Sequence, residues 1–275
     1  MAIMTTKRRQ YSRNIVALTL LILTAALTGC GGKKDKGSMS FSIEGRLENA
    51  ANRMLYIAEM TPSEGEKFLD SVKCDKNGNF KYKGSMTYQT FFDLHCSEYD
   101  YIVLLPQDGE KIEVVGDANE LHTKYQVKGS PESQLMWQIN DYVNQANLAI
   151  ADIAQQDKRN KETLSPEEYE REHTKTDSLF VAERQTIYLM LSNFIDDNYG
   201  SLSTLYAIDA PFNHIMRVFY AEQDFEMFEN VLEGLNEKCG DNPHTLNYRT
   251  RVERARSARM LAAQQQQESQ RIIVE

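Results

Sequence analysis

From Met39 to Gly129 apolar and polar positions alternate with a period of two, in short runs separated by turn residues. That is the pattern of strands with one face on a core. Phe41, Ile43 and Leu47 fit a first strand, Leu55 and Ile57 a second, and Phe68 to Cys74 a third that runs into Asp75-Lys76-Asn77-Gly78. The tetrapeptide predicts a hairpin turn, because glycine tolerates positive φ and asparagine bonds its own backbone. Phe80 and Tyr82 alternate away from it, Tyr88 to Leu94 predicts a further strand, and Tyr101 to Leu105 an unbroken buried one. Pro106-Gln107-Asp108-Gly109 then turns the chain into Ile112 and Val114, and Val127 lies in the last strand. Seven or eight strands at this spacing predict an antiparallel β-sandwich or partly open barrel.

At Gly129 the period becomes helical. Ser130-Pro131 is an N-cap followed by proline at the first helical position, and Leu135, Ile139, Tyr142, Ala146, Ala149 and Ile153 form an apolar stripe. The polar stretch Gln155 to Thr163 predicts a break, and Ser165-Pro166-Glu167-Glu168 a capping box that restarts a helix through Phe194 or Ile195. Gly200 ends that element, Leu202, Leu205 and Ile208 predict another turn or two, and Pro211 a restart. Asp224 is expected to cap a helix carrying Phe225, Phe228, Leu232 and Leu235, and Asp241-Asn242-Pro243 opens a last one. That last segment is crowded with Arg249, Arg251, Arg254, Arg256 and Arg259 and runs into Gln264 to Gln267 without a sustained apolar stripe. It predicts a solvated helix or linker, with an anionic docking surface as the alternative.

The first residues are of another kind. Met1 to Arg13 holds four basic and no acidic residues, Ile15 to Leu27 is apolar apart from threonines, and Leu27-Thr28-Gly29-Cys30 follows at once. The apolar run is too short for a membrane span, which needs roughly 20 residues, but suits a secretory signal peptide. The tetrapeptide resembles the lipobox of bacterial lipoproteins, which implies cleavage before Cys30 and lipid attachment at its thiol. Several acyl chains would hold the protein on the membrane for good. The glycine- and lysine-rich stretch to Ser38 reads as a flexible tether without an acidic run, which favours the periplasmic face of the outer membrane. The expected organisation is therefore α+β: a leader over 1–29, a tether over 30–38, a β domain over 39–129, a helical domain over 130–240, and a basic, Gln-rich helix or linker over 241–275.

Composition narrows the chemistry. A chain of 275 residues with 41% hydrophobic and 26% charged positions has globular proportions. Its net charge is −9, and loss of Lys7, Arg8, Arg9 and Arg13 with the leader would leave −13. A nucleic-acid partner is excluded on that ground, since phosphate binding needs a net basic surface.

The order of lipobox, β segment and helical segment, together with Phe41-Ser42-Ile43-Glu44-Gly45, Asp70-Ser71, Asp75-Lys76-Asn77-Gly78-Asn79-Phe80 and Val127-Lys128-Gly129-Ser130, resembles DUF4369. This domain of unknown function fronts many thioredoxin-like lipoproteins of Bacteroidetes. The resemblance covers roughly Phe41 to Ser130, and Ser201-Leu202-Ser203-Thr204-Leu205-Tyr206 resembles a stretch of the helical linker in the same proteins. It implies a thioredoxin-like domain with a Cys-x-x-Cys pair after the linker. Glu275 falls where that domain is expected to begin, and no Cys-x-x-Cys occurs, so the family's active-site residues have no counterpart to carry over.

Little else in the sequence carries chemistry. Cys74, Cys96 and Cys239 are widely spaced. Cys74 and Cys96 fall in expected strands, where packing, a disulfide between them and redox catalysis all remain open. His95, His122, His173, His214 and His244 occur singly, without a metal-ligand arrangement, and no metal or cofactor is expected. Asp75-Lys76-Asn77-Gly78-Asn79 lacks the glycine position and the terminal glutamate of a calcium loop. Nucleophile-elbow, P-loop and dinucleotide fingerprints are missing, and Glu167, Glu168, Glu170 and Glu172 read as a solvated face. Trp137 suits either packing at the seam between the segments or stacking on a sugar. The expected function is a non-catalytic envelope lipoprotein that acts as an interaction or assembly module on a protein or peptide. Its rivals are the front part or accessory subunit of a periplasmic thiol-disulfide oxidoreductase, and a glycan- or nutrient-binding lipoprotein.

Overall fold

The computed structural model describes residues 38–97, 100–213 and 216–274; the leader, the lipobox and Cys30 lie outside the described residues. Eight strands come first: β1 Met39–Glu48, β2 Met54–Thr61, β3 Gly65–Lys73, β4 Asn79–Met86, β5 Phe91–Ser97, β6 Asp100–Leu104, β7 Lys111–Asp117 and β8 Tyr125–Lys128. Helices α1 Pro131–Thr163, α2 Pro166–Asp197 and α3 Ser203–Ile208 follow, then the two-residue strands β9 Pro211–Phe212 and β10 Met216–Arg217. Helices α4 Phe225–Cys239 and α5 Pro243–Val274 complete the order.

The strands form two sheets, ordered β4-β1-β7-β8 and β3-β2-β5-β6. Their alternating apolar residues meet in one core, where Phe41 of β1 and Phe92 of β5 lie 4.7 Å apart between ring centroids. The α+β sandwich expected from the period of two is thus present. It departs from the antiparallel expectation at one place, since β1 pairs with β4 antiparallel but with β7 parallel. The cause is connectivity: β6 belongs to the second sheet, and the chain crosses back to enter beside β1 by a crossover, which permits a parallel neighbour where a hairpin does not. At this pairing Gly45 faces Val114, and any Cβ there would collide with the Val114 carbonyl. The turn expected at Asp75 to Gly78 is present. Gly78 has φ 80°, and the Asp75 carboxylate accepts from the Asn79 side-chain amide at 2.8 Å and from the backbone amides of Asn79 at 2.9 Å and Asn77 at 2.7 Å, bonds that hold its pKa below the ordinary range.

Helix α1 starts as expected. The Ser130 hydroxyl accepts from the Ser133 amide, and the Ser133 hydroxyl in turn accepts from the Leu105 amide at 3.0 Å, tying the first turn to the end of β6. The break expected over Gln155 to Thr163 does not occur, and α1 runs unbroken to Thr163. Its polar residues bond one turn apart, as Gln156 does to Asn160, while Asp157 reaches across to His173 of α2. The helix ends because Pro166 forces Ser165 into extended backbone, φ −63° and ψ 157°, and the expected Ser165 and Glu168 capping box opens α2.

Three further expectations are corrected. Pro211 does not restart a helix but enters the small β9 and β10 ladder, turned by Asn213, whose side chain accepts from the Met216 amide. Asp224 stands at the start of α4 but its carboxylate serves the Tyr220 amide and the Tyr188 hydroxyl instead of the helix. The basic last segment is one helix, and its first half is docked. His244, Thr245, Tyr248 and Val252 are buried, Arg251 bonds Asp209 at 2.6 Å, Arg256 bonds Glu229 at 2.7 Å, and Arg259 lies 4.7 Å from the Phe225 ring centre. The arginines crowd there because they clamp α5 onto α4 and the α3 region, with a short buried stripe that is easily missed beneath the charges.

Both faces of the second sheet are used. Phe92, Leu94, Ile102 and Leu104 point into the sandwich, whereas Phe91, Val103 and Leu105 belong to the core formed by the helices, with Met60 packed against it. Helical and β segments therefore share apolar contacts across this sheet. Among the described residues no helix is long and apolar enough to cross a membrane.

Candidate functional site

The helices cover only one end of the outer face of the second sheet. Register fixes what lies beyond them. Phe68, Ala58, Asp93 and Val103 form one cross-strand row, and Tyr56, His95 and Tyr101 the next. The helix-covered end carries Met60, Phe91, Val103 and Leu105; at the other end Phe68 is 62% exposed, Tyr101 45% and Tyr56 38%. Tyr56 stacks on His95 with centroids 5.6 Å apart and approaches Phe68 at 6.5 Å. These rings form a continuous exposed aromatic patch on a rigid sheet, a feature that marks a contact surface.

Asp93 sits at the border between covered and uncovered ends. It is 5% exposed, and its Oδ1 has no hydrogen-bond partner. Burial, with the Glu66 charge adding to it, pushes its carboxyl up to about 7. Burial also raises the phenols of Tyr101 and of Tyr206 on α3, each reinforced by the Asp93 charge. Tyr206 is carried there by the Ser201 to Tyr206 motif. The Ser201 hydroxyl donates to Glu132 of α1 at 2.5 Å and accepts from the Ser203 amide, and the Thr204 hydroxyl bonds the Ser201 carbonyl. Glu132, half-buried, has its carboxyl raised by desolvation despite that bond.

The residues singled out by sequence fall elsewhere. Cys30 and His214 lie outside the described residues. Cys74 and Cys96 are both free and both contribute to the sandwich core. The strands leading to them, β3 and β5, flank β2 on opposite sides, so they are not adjacent. Two strand spacings of about 4.8 Å each exceed the roughly 7 Å limit between Cα atoms of a disulfide. Burial pushes the Cys74 thiol up and the Cys96 thiol up to about 11, which disfavours the thiolate that exchange requires.

Trp137 packs against the sandwich core, and its indole N–H donates to the Tyr125 carbonyl at 2.9 Å, the seam placement. His122 pairs with Asp100 and His173 with Asp157; His244 is buried against Phe91 and bonded to the Thr90 hydroxyl at 2.8 Å. No group of three or more His, Cys, Asp or Glu among the described residues is placed to hold a metal ion. An open cleft of about 530 Å³ lies between the turn after β2 and the start of α5, lined by Pro62, Tyr88, Leu246 and Asn247 among others. Asn247 bonds the Pro62 carbonyl there, so the cleft marks a packing seam.

Residues 41–136 match the family model of DUF4369, a domain of unknown function. The comparison with curated proteins found no match. The DUF4369 match includes Tyr56, Phe68, Asp93, His95 and Tyr101, and it reaches into α1 as far as the buried Met136. Tyr206 lies outside it. Sequence reasoning missed the aromatic face because strand alternation does not say which face a helix will cover. One signal was present: Asp93 stands inside the apolar run Phe91-Phe92-Asp93-Leu94, where a strand buried on both faces ordinarily has no carboxylate.

Proposed function

We propose that the protein is a non-catalytic lipoprotein of the bacterial cell envelope that acts as an interaction or assembly module. Cys30 carries the lipid and the tether leads to a DUF4369 domain that faces the periplasm. The observation that carries the binding role is the exposure of Tyr56, Phe68 and Tyr101, in two adjacent cross-strand rows, on a sheet whose other end is sealed by helices. Rigid aromatic side chains give large contact area for little loss of side-chain freedom, and they are enriched at interfaces. The raised thiol pKa values favour this reading over the rival role in thiol-disulfide exchange.

A glycan-binding role is the second reading, favoured by the same rings. Against it, the Tyr56 and Phe68 rings are tilted by 57°, so the two offer no common plane to a sugar.

The test is site-specific photo-crosslinking in the native envelope, with a photoreactive phenylalanine derivative at position 68 and a control at position 81 on the outer face of the first sheet. Discrete protein adducts from position 68 alone are expected, and Cys30→Ala should release the protein from the membrane fraction. Equal labelling from both positions, or none from 68, overturns the proposal.

A further inference from the structure

The charges acting on Asp93 and on the phenols beside it have one sign. Glu66 on β3 is exposed, Asp93 lies beside it, and neither forms an ion pair among the described residues. The charges that bear on Asp93, Tyr101 and Tyr206 come only from acidic and phenolic neighbours, with no lysine or arginine offsetting them. By contrast, the half-buried Asp209 carboxylate is paired with both Arg217 and Arg251. A buried carboxyl with an unsatisfied oxygen costs folding free energy, and such a group in a native structure calls for a reason.

We infer that this face takes a lysine or arginine side chain presented by a protein partner. Its alkyl stem lies across the neighbouring rings of Tyr56 and Phe68, and its cationic head turns toward Glu66 and Asp93. The inference rests on the interaction-module reading and specifies what that module recognises. Three properties of the site converge on a cation. The ring faces attract positive charge through their quadrupole. Exposed Glu66 supplies a counter-charge that this chain leaves unfilled, and a cation held beside the buried Asp93 carboxyl would favour its ionised form. Finally, long basic side chains combine an apolar stem with a charged tip, matching a surface that is aromatic on one side and acidic at its border. An anionic ligand would meet uncompensated carboxylates, and a neutral sugar would leave their charge unanswered.

The test uses the full chain and three peptide probes, acetyl-Ala-Lys-Ala-amide, acetyl-Ala-Arg-Ala-amide and acetyl-Ala-norleucine-Ala-amide, with maltohexaose and chitohexaose as saccharide probes. Binding is read by ligand-observed nuclear magnetic resonance titration. The basic peptides should bind about tenfold or more tightly than the norleucine peptide, a gap consistent with a cation between aromatic rings and carboxylates. Glu66→Gln, on an exposed position, should weaken that binding severalfold, as should the near-isosteric Asp93→Asn, and Phe68→Ser should abolish it. Thermal melting of each variant checks that the fold is intact. Equal affinity for the norleucine peptide, saccharide binding that depends on Phe68, or no binding of any probe overturns the inference. Crosslinking from position 68 that persists in the face of such a result leaves the interaction module standing and removes only its basic ligand. Loss of both removes both.

Discussion

Replacing Asp93 by Asn tests whether the carboxyl at the border of the aromatic face is held against its own ionisation. In the folded chain the group is buried, its Oδ1 is unpartnered, and its pKa stands at about 7, against roughly 3.9 when unfolded. An acid whose pKa is raised on folding contributes stability that is full below the unfolded pKa and is lost as pH rises through the folded one. At about 1.4 kcal/mol per pKa unit, the wild type should lose about 2.5 kcal/mol from this group between about pH 5 and about pH 8, with the loss levelling off above pH 7. Asparagine does not titrate, so the variant should lack this component, although its amide N–H groups add a roughly constant cost if they too lack partners. The assay is urea unfolding of both proteins at closely spaced pH values, taking the difference between them so that every shared titration cancels. Glu66, Tyr101 and Tyr206 surround Asp93 in both proteins, so the difference isolates the one carboxyl. A difference that is flat across this range would refute the reasoning.

Three other outcomes follow from the same structure. Burial depresses His244 to about 4, so its contribution is full above the unfolded pKa of roughly 6.5 and fades as pH falls; hydrogen exchange should show α5 loosening near pH 5 by about 2 kcal/mol, and His244→Gln should remove that pH dependence. Gly45→Ala should destabilise the fold by at least about 2 kcal/mol in urea unfolding, because the added Cβ meets the Val114 backbone of the parallel neighbour and not a side chain that can turn away. Cys74 and Cys96 should react with a thiol reagent only on unfolding, and the native protein should show no insulin reduction above the dithiothreitol background; turnover lost in the Cys74→Ser, Cys96→Ser double variant would reinstate the oxidoreductase reading.

Sequence by itself determined much of the local structure. The period of two placed the strands, since alternate residues face one core, and Asp75 to Gly78, Ser130-Pro131 and Ser165 to Glu168 placed a turn and two helix starts, since those residues satisfy backbone groups within a few positions of themselves. What depends on distant residues was not legible. Parallel pairing of β1 with β7 follows from a crossover between sheets, and neither strand's pattern records direction. The unbroken α1 is supported by His173 on another helix, and the arginines of α5 are explained by Asp209, Glu229 and Phe225. The candidate site was hidden for the same reason. Alternation puts Tyr56, Phe68 and Tyr101 on one face of a sheet, but only the packing of the helices decides that this end of the face stays open while Phe91, Val103 and Leu105 are sealed, leaving Asp93 buried at the edge. Hydrophobic patterning is a property of neighbours along the chain, whereas exposure of a particular face is settled by whichever elements pack on it from elsewhere in the chain, here the nearby α1 and the distant α5.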